Sequence, residues 1–279
     1  MSTASSPTLT STRSPKAFFV NSALAFAIAE LVTAALHEAG HGLMAQALGF
    51  APRIYAFYEN NPSGTVHQNL LILAAGPLTS LAIGALLLAA YRRQPARYSF
   101  GRLMLFWFAW ANIMEFVNYV MVTPWLSAGD TAQIAHLLGW PMWGSYAIAA
   151  VALAALFPLA SLATRGMLGV APSDVPIATP RDRRRLVMMG FYLPLLAGVL
   201  LMAPAGIGGA PITVLLGLFA AFGNLDLIGA SMMFASRNIV AHTDARLPDA
   251  APRVEPIAVI LYIAVVAFYI GLLSHGLPV

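Results

Sequence analysis

The strongest constraint on this chain is a series of apolar runs, each long enough to cross a lipid bilayer as a helix. Such a crossing takes about 20 mostly apolar residues. Runs of this kind cover residues 17–49, 69–91, 103–123, 144–164, 186–204, 211–235 and 256–275. They are continuous rather than alternating, which favours helices over a β-barrel, and a helix satisfies its own backbone hydrogen bonds in lipid. The sequence predicts an all-α, polytopic transmembrane helical bundle of about seven spans, with six or eight as alternatives.

Composition supports a membrane protein. Hydrophobic residues make up 59% of the chain and charged residues 9%, whereas soluble domains carry roughly 25% charged residues. The segment 1–16 differs from the rest, because it is rich in serine and threonine and has no apolar core of its own. We expect a disordered N-terminal tail there rather than a cleavable signal.

The basic residues are unevenly distributed over the predicted loops. With seven spans, every lysine and arginine except Arg53 falls on one side of the membrane. The positive-inside rule then places the N-terminus in the cytoplasm and the C-terminus outside it. We expect a multi-pass protein of a bacterial-type plasma membrane, in contact with the lipid bilayer. Short loops between spans routinely carry such charge, so we expect no nucleic-acid partner.

The sequence HEAGH places His37, Glu38 and His41 within an apolar run. Histidines four residues apart lie on one face of a helix and can bind the same metal ion. Glu38 then lies beside the ion, where a carboxylate can exchange protons with metal-bound water. The chain has no cysteine, so further ligands must be histidine or carboxylate. The motif predicts a Zn²⁺ site with hydrolytic chemistry and Glu38 as the catalytic base.

Catalytic zinc sites usually have three protein ligands, and the sequence leaves several candidates for the third. Asp130 is preferred, since its loop, 124–143, lies on the side where the first helix ends. Glu115, within the third apolar run, is the alternative metal ligand. His67 and His136 are further candidates, and any of these side chains can instead serve only polar packing.

One more carboxylate lies on the first helix. Glu30 precedes His37 by seven residues and therefore shares its helical face. From there it can accept an N–H from a metal-bound imidazole, as such rings commonly require, or form a polar contact between helices.

Three segments together resemble the signature regions of the site-2 protease family of intramembrane zinc metalloproteases. They are HEAGHGLMAQALG (37–49), AAGPLTSLAIG (74–84) and NYVMVTPWLSAGD (118–130). The similarity extends over residues 20–135. Two details differ from the family pattern: Ser80 stands where an asparagine often follows Gly-Pro, and a glycine precedes rather than follows Asp130.

The resemblance implies roles for individual residues. His37, His41 and Asp130 would be the metal ligands, Glu38 the general base, and Asn118 a polar residue near substrate or metal. The substrate would be another membrane protein, cut within a transmembrane helix. The chain then divides into a metalloprotease-like core of three transmembrane helices, 17–143, and additional helices of unknown role, 144–279.

Two other functions are compatible with the sequence. The first is a non-catalytic, protease-like membrane protein that binds partners. The second is a metal transporter, in which Glu115, Asn224 and Asp226 would provide a polar path through the membrane. The sequence assigns neither the substrate nor the oligomeric state.

Overall fold

The predicted all-α fold is confirmed. The computed structural model describes residues 13–60, 64–127, 129–207, 221–237 and 252–279. The longer helices are α1 (Arg13–Ala47), α2 (Val66–Arg93), α3 (Phe100–Val122), α5 (Met142–Val170) and α9 (Pro256–Gly271). The shorter ones are α4 (Asp130–Leu137), α6 (Pro180–Val187), α7 (Leu193–Met202) and α8 (Asn224–Ala235). A π-helix, Met188–Tyr192, joins α6 to α7, and 3-10 turns follow at Ala203–Gly206 and Leu273–His275.

Six helical segments among the described residues are long and apolar enough to cross a membrane, which makes this a multi-pass membrane protein. They are the five longer helices and the continuous stretch Pro180–Gly206, which contains α6, the π-helix and α7. The predicted run 211–235 is described only in part, by α8. The C-terminal end of α8 lies beside the start of α6, because Arg183 donates from Nε to the carbonyl of Ala235 at 3.0 Å. The chain therefore returns across the bundle between α7 and α9, as a bundle of about seven spans requires.

Helix α1 begins slightly before the segment predicted as the first membrane span. The N-terminal tail was expected to extend to residue 16, but α1 already begins at Arg13. Residues 1–12 lie outside the described part of the chain. The added turn agrees with the long apolar run that follows, since helix formation propagates readily from an established helix.

Side-chain caps fix where several helices begin. Thr65 and Gln68 form a reciprocal capping box at the start of α2, and Thr179 and Asp182 form another at the start of α6. Ser99 accepts from the backbone N–H of Arg102 at the start of α3. These side chains satisfy amide groups that the first helical turn leaves unpaired.

Helix α1 is the centre of the bundle and packs against α2, α3, α7 and α9. Aromatic rings fill the core around its N-terminal half: Phe26 meets Trp107 edge to face, and Trp107 packs against Phe191. Ser22 accepts a hydrogen bond from Trp107 Nε1 and donates to the carbonyl of Gly190 within the π-helix. These buried hydroxyl, indole and carbonyl groups are thereby paired, as a lipid environment demands.

The opposite end of α1 is partly covered by a small sheet that the sequence analysis did not predict. Its strands are β1 (Arg53–Ile54), β2 (Glu59–Asn60) and β3 (Leu277–Pro278), in the order β2-β1-β3 with antiparallel pairing. Ile54 packs against Gly42, one residue beyond the HEAGH motif. The sheet thus lies at the end of the bundle that holds the polar residues of α1.

Candidate metal centre

Helix α1 presents both motif histidines to the same point inside the bundle. His37 is 1% exposed and His41 is 5% exposed, and their Nε2 atoms are 3.1 Å apart. The helical spacing of four residues places the rings one turn apart on one face. The structure therefore buries two potential nitrogen ligands side by side.

Asp130 supplies a third donor to this point. Its Oδ2 lies 3.0 Å from His37 Nε2 and 3.2 Å from His41 Nε2. Asp130 is the first residue of α4, a short helix that begins where α3 has just ended. Thr131 holds this helix in place, because its hydroxyl donates to the carbonyl of Tyr119 and also bonds the hydroxyl of Thr123. The glycine before Asp130 is the N-cap residue of α4.

The three donor atoms form a nearly equilateral triangle that fits a small metal ion. Donors about 2.1 Å from a tetrahedral ion lie about 3.4 Å from one another, close to the separations of 3.0–3.2 Å between these atoms. Among the described residues, this group alone brings three histidine or carboxylate ligands close enough to share an ion. The chain can hold a metal here.

The outer nitrogen of His41 fixes the orientation of its ring. His41 Nδ1 lies 2.7 Å from the backbone carbonyl of Ile72, which can only accept, so Nδ1 carries the proton. The lone pair of the neutral ring is then on Nε2, directed towards His37 and Asp130. Metal-binding histidines are generally oriented in this way by a carbonyl or carboxylate on the other nitrogen.

The environment of Asp130 keeps its carboxylate ionised. Burial opposes the charge, but the adjacent imidazoles of His37 and His41, when protonated, outweigh burial and hold the pKa of Asp130 below its usual range. Since only a carboxylate serves as a ligand, the residue is in the correct form for metal binding.

Two glycines allow α2 to approach the motif closely. A Cβ atom added at Gly76 would overlap the imidazole ring of His41, and one added at Gly40 would lie 2.9 Å from the carbonyl of Ala75. Pro77, next to Gly76, lies inside α2 and is buried. Proline has no N–H to donate to the preceding turn, so α2 lacks one backbone hydrogen bond near the turn that contacts His41. The Gly-Pro pair therefore shapes the wall of the site.

His37 is held by a second set of neighbours. Its ring stacks on Tyr119 with centroids 4.9 Å apart, and its Nδ1 lies 3.4 Å from the hydroxyl of Ser80. Glu115 approaches the same outer nitrogen, at 3.8 Å. Glu115 is therefore on the far side of the ring from Asp130, and the arrangement does not support it as the alternative metal ligand.

Glu38 lies beside the three donors and faces a cavity. The cavity measures about 920 Å³ and is bounded by α1, α2, α3, α4, the segment around α8 and the loop that ends in β2. Glu38 and His41 both line it. Glu38 is 8% exposed, so its carboxylate lies in the cavity wall within reach of a molecule that enters the cavity.

Asn118 also lines the cavity. Both polar atoms of its amide are buried and have no hydrogen-bond partner among the described residues. Asn118 therefore forms no hydrogen bond with His37, His41 or Asp130. An unpaired buried amide is costly, so a molecule that enters the cavity and forms hydrogen bonds with this side chain would be bound favourably.

Glu30 makes a different contact from the one expected. Its Oε2 accepts a hydrogen bond of 3.2 Å from Nδ2 of Asn224 in α8, and it does not bond an imidazole. Glu30 is seven residues, about 10 Å, below His37 along the helix, which places the ring beyond its reach. It therefore links α1 to α8 at the wall of the cavity.

The remaining candidates lie at the periphery. His67 is exposed near the start of α2. His136 is exposed on α4 and lines the cavity, and Asp226 lines it from α8. None of the three belongs to the group that could hold the ion.

The sequence analysis missed three contributors to the site. Tyr119 stacks on His37, Thr131 anchors the helix that carries Asp130, and α8 brings Asn224 to Glu30. The first two are adjacent to residues that were identified, Asn118 and Asp130, but their contacts depend on how α3 and α4 pack. No sequence signal links residues 30 and 224.

Comparison of the chain with protein-family models, with curated proteins and with solved structures finds no match. The functional assignment therefore depends on the site itself.

Proposed function

We propose that this protein is an intramembrane zinc-dependent endopeptidase that cleaves transmembrane segments of other membrane proteins. One observation carries the proposal: His37, His41 and Asp130 converge on one point inside a membrane bundle, and Glu38 lines the cavity beside them. The resemblance of three segments to the site-2 protease family supports the same reaction.

The donor set favours zinc over other metals. Two imidazole nitrogens and one carboxylate oxygen form a three-ligand set typical of catalytic zinc, which retains an open fourth position. Calcium and magnesium prefer oxygen ligands throughout. When bound, zinc would lower the pKa of a water molecule and polarise a carbonyl group.

The residues of the chain would then have separate roles in the reaction. Glu38 would accept the proton of the attacking water and transfer it to the nitrogen of the leaving amine, so that the peptide bond breaks into an acid and an amine. Asn118 would offer its amide to the substrate backbone. The Nδ1–H of His41, held by Ile72, keeps the ring oriented throughout the reaction.

The location of the site defines the class of substrate. A peptide bond within a helix is shielded by its own turn, so a transmembrane substrate must unwind locally before it can be cut. Unwound backbone is tolerated at membrane depth only where it lines a polar or water-filled cavity. The cavity of about 920 Å³ in front of Glu38 provides such a space.

Replacement of Glu38 tests the proposal. We expect Glu38→Gln to retain its zinc, because residue 38 is not a ligand, and to lose proteolysis. Cells that express the wild type or this variant can be compared by labelling new N-termini in their membrane proteome. New termini within transmembrane segments should appear with the wild type alone.

Two results would contradict this assignment. Equal sets of new termini from both proteins would remove Glu38 from the reaction. A wild type with full zinc content and no new termini would instead favour a non-catalytic membrane protein that binds partners. The transporter alternative predicts zinc uptake into proteoliposomes, abolished by Asp226→Asn while any proteolysis remains.

A further inference from the structure

The cavity in front of Glu38 is strongly acidic. Six carboxylates line it, and no lysine or arginine does among the residues that the structure describes. These carboxylates belong to Glu30, Glu38, Glu59, Glu115, Asp130 and Asp226. A divalent ion at the metal site would offset two of these charges, and the described lining holds no lysine or arginine to offset more. A cavity of one charge sign attracts ligands of the opposite sign.

An unsatisfied acceptor lies next to Glu30, which lines the cavity. Glu30 is 3% exposed and Asn224 is 2% exposed. The Nδ2 of Asn224 donates to Glu30 Oε2 and to the carbonyl of Ala221, whereas its Oδ1 is buried without a partner in the described structure. The carboxyl group of Glu30 therefore lies beside a buried amide oxygen that lacks a hydrogen-bond donor.

The neighbouring helix repeats this pattern. Asn112 is fully buried, and its Nδ2 donates to the hydroxyl of Thr33 and to the carbonyl of Phe108. Its Oδ1 again has no partner among the described residues. Asn112 lies one turn before Glu115 on α3, and Thr33 lies one turn after Glu30 on α1. Together with Asn118, three buried amide oxygens and one amide nitrogen on these helices lack partners in the described part of the chain, so the missing complement carries more donors than acceptors.

We propose that the cavity binds the side chain of a lysine or arginine located within the transmembrane segment of the substrate, with Glu30, Asn224 and Asp226 determining this specificity. The inference depends on the proposed protease function and specifies its substrate. An ammonium group brings three N–H donors and a guanidinium group brings five. A basic residue within a membrane helix is costly unless it meets an acidic partner, and this cavity offers such partners beside the catalytic carboxylate.

The position of these residues gives the pairing a role in catalysis. Glu30 lies about two turns from His37 along α1, and Asp226 lines the same cavity from α8. A substrate helix whose basic residue is held by this group would place a nearby peptide bond before Glu38. Substrates with an acidic residue at the same depth would be repelled, which adds discrimination against the wrong helix.

Binding of designed helices tests the proposal without any cleavage step. The probes are three synthetic single-span peptides, identical except for lysine, norleucine or glutamate at one central position. They are titrated against zinc-loaded Glu38→Gln protein in nanodiscs. We expect the lysine peptide to bind about tenfold more tightly than the norleucine peptide, as one strong polar contact between membrane helices allows, and the glutamate peptide to bind most weakly.

Variants assign the preference to the residues named here. Adding Glu30→Gln or Asp226→Asn should reduce the preference for lysine at least threefold while zinc content stays unchanged. Asp174→Asn, an exposed carboxylate outside the cavity, is the matched control and should leave the preference intact. Asp226 is itself exposed, so its substitution tests the idea even where Glu30→Gln fails to fold.

Equal binding of the lysine and norleucine peptides would overturn the proposal. So would a lysine preference that persists unchanged in both cavity variants. These outcomes are separate from failure of the protease function, which is detected by the absence of new termini in cells, because binding is measured here on a protein that is not required to cleave.

Discussion

At the scale of single residues, the candidate metal centre is built from very short contacts between two helices. Gly76 is the clearest case, since any side chain at this position would occupy the space of the His41 ring. The HEAGH motif made His37, Glu38 and His41 recognisable from sequence, because the spacing of four residues has a direct geometric meaning on a helix. The same spacing says nothing about which helix packs against the motif, so the dependence on Gly76 needed the structure.

We expect Gly76→Ala to weaken zinc binding by about tenfold or more, since the added methyl group displaces a metal ligand and disturbed ligand orientation has effects of this size. Zinc affinity of the detergent-purified variant, measured against a competing chelator, checks this. Gly101→Ala is the control, because a Cβ at Gly101 of α3 meets no atom within 4 Å. Wild-type affinity in Gly76→Ala would mean that the close approach of α2 does not position His41.

At the scale of elements, local signals predicted the helices better than the connections between them. Long apolar runs mark α2, α3 and α5 because a helix in lipid is determined largely by its own composition, whereas the caps of α2, α3 and α6 were recognised only in the structure. Helix α4 has only eight residues, too few for a membrane span, and the strands of the sheet have two residues each. These short elements are stabilised by contacts with the bundle, such as Thr131 with Tyr119, that no local pattern encodes.

A buried arginine joins two elements that are distant in sequence. Arg183 of α6 is 2% exposed and donates to the carbonyls of Ala235, Ile177 and Ala178. Ala235 is the last residue of α8, where carbonyl groups lack helical partners. The sequence analysis counted Arg183 only as one of the loop charges, because its neighbours are exposed arginines.

We expect Arg183→Met to lower the thermal unfolding midpoint by at least about 4 °C, since each buried carbonyl left unpaired costs about 1–3 kcal/mol. Zinc content should be unchanged, because the site is at the other end of the bundle. Arg184→Met, at an exposed position, should leave the midpoint as in the wild type. A melting curve of each protein in the same detergent provides the measurement, and equal midpoints would refute the role assigned to Arg183.

At the scale of the whole molecule, the two halves of the chain form one unit around α1. Helices α7 and α9 pack against α1, the hydroxyl of Tyr269 donates to the carbonyl of Leu31, and Asn224 reaches Glu30. The sequence analysis placed the candidate metal site in the first half and named Asn224 and Asp226 of the second half only in the transporter alternative. That expectation was incomplete, because contacts between helices separated by almost 200 positions depend on tertiary packing alone.

The ligand set of the metal centre is the claim on which the whole account depends. Elemental analysis of detergent-purified wild type, Asp130→Ala and Glu115→Gln tests it most directly. We predict one zinc ion per chain in the wild type and in Glu115→Gln, and loss of bound zinc in Asp130→Ala. Zinc retained in Asp130→Ala, or absent from a well-folded wild type, would contradict the account.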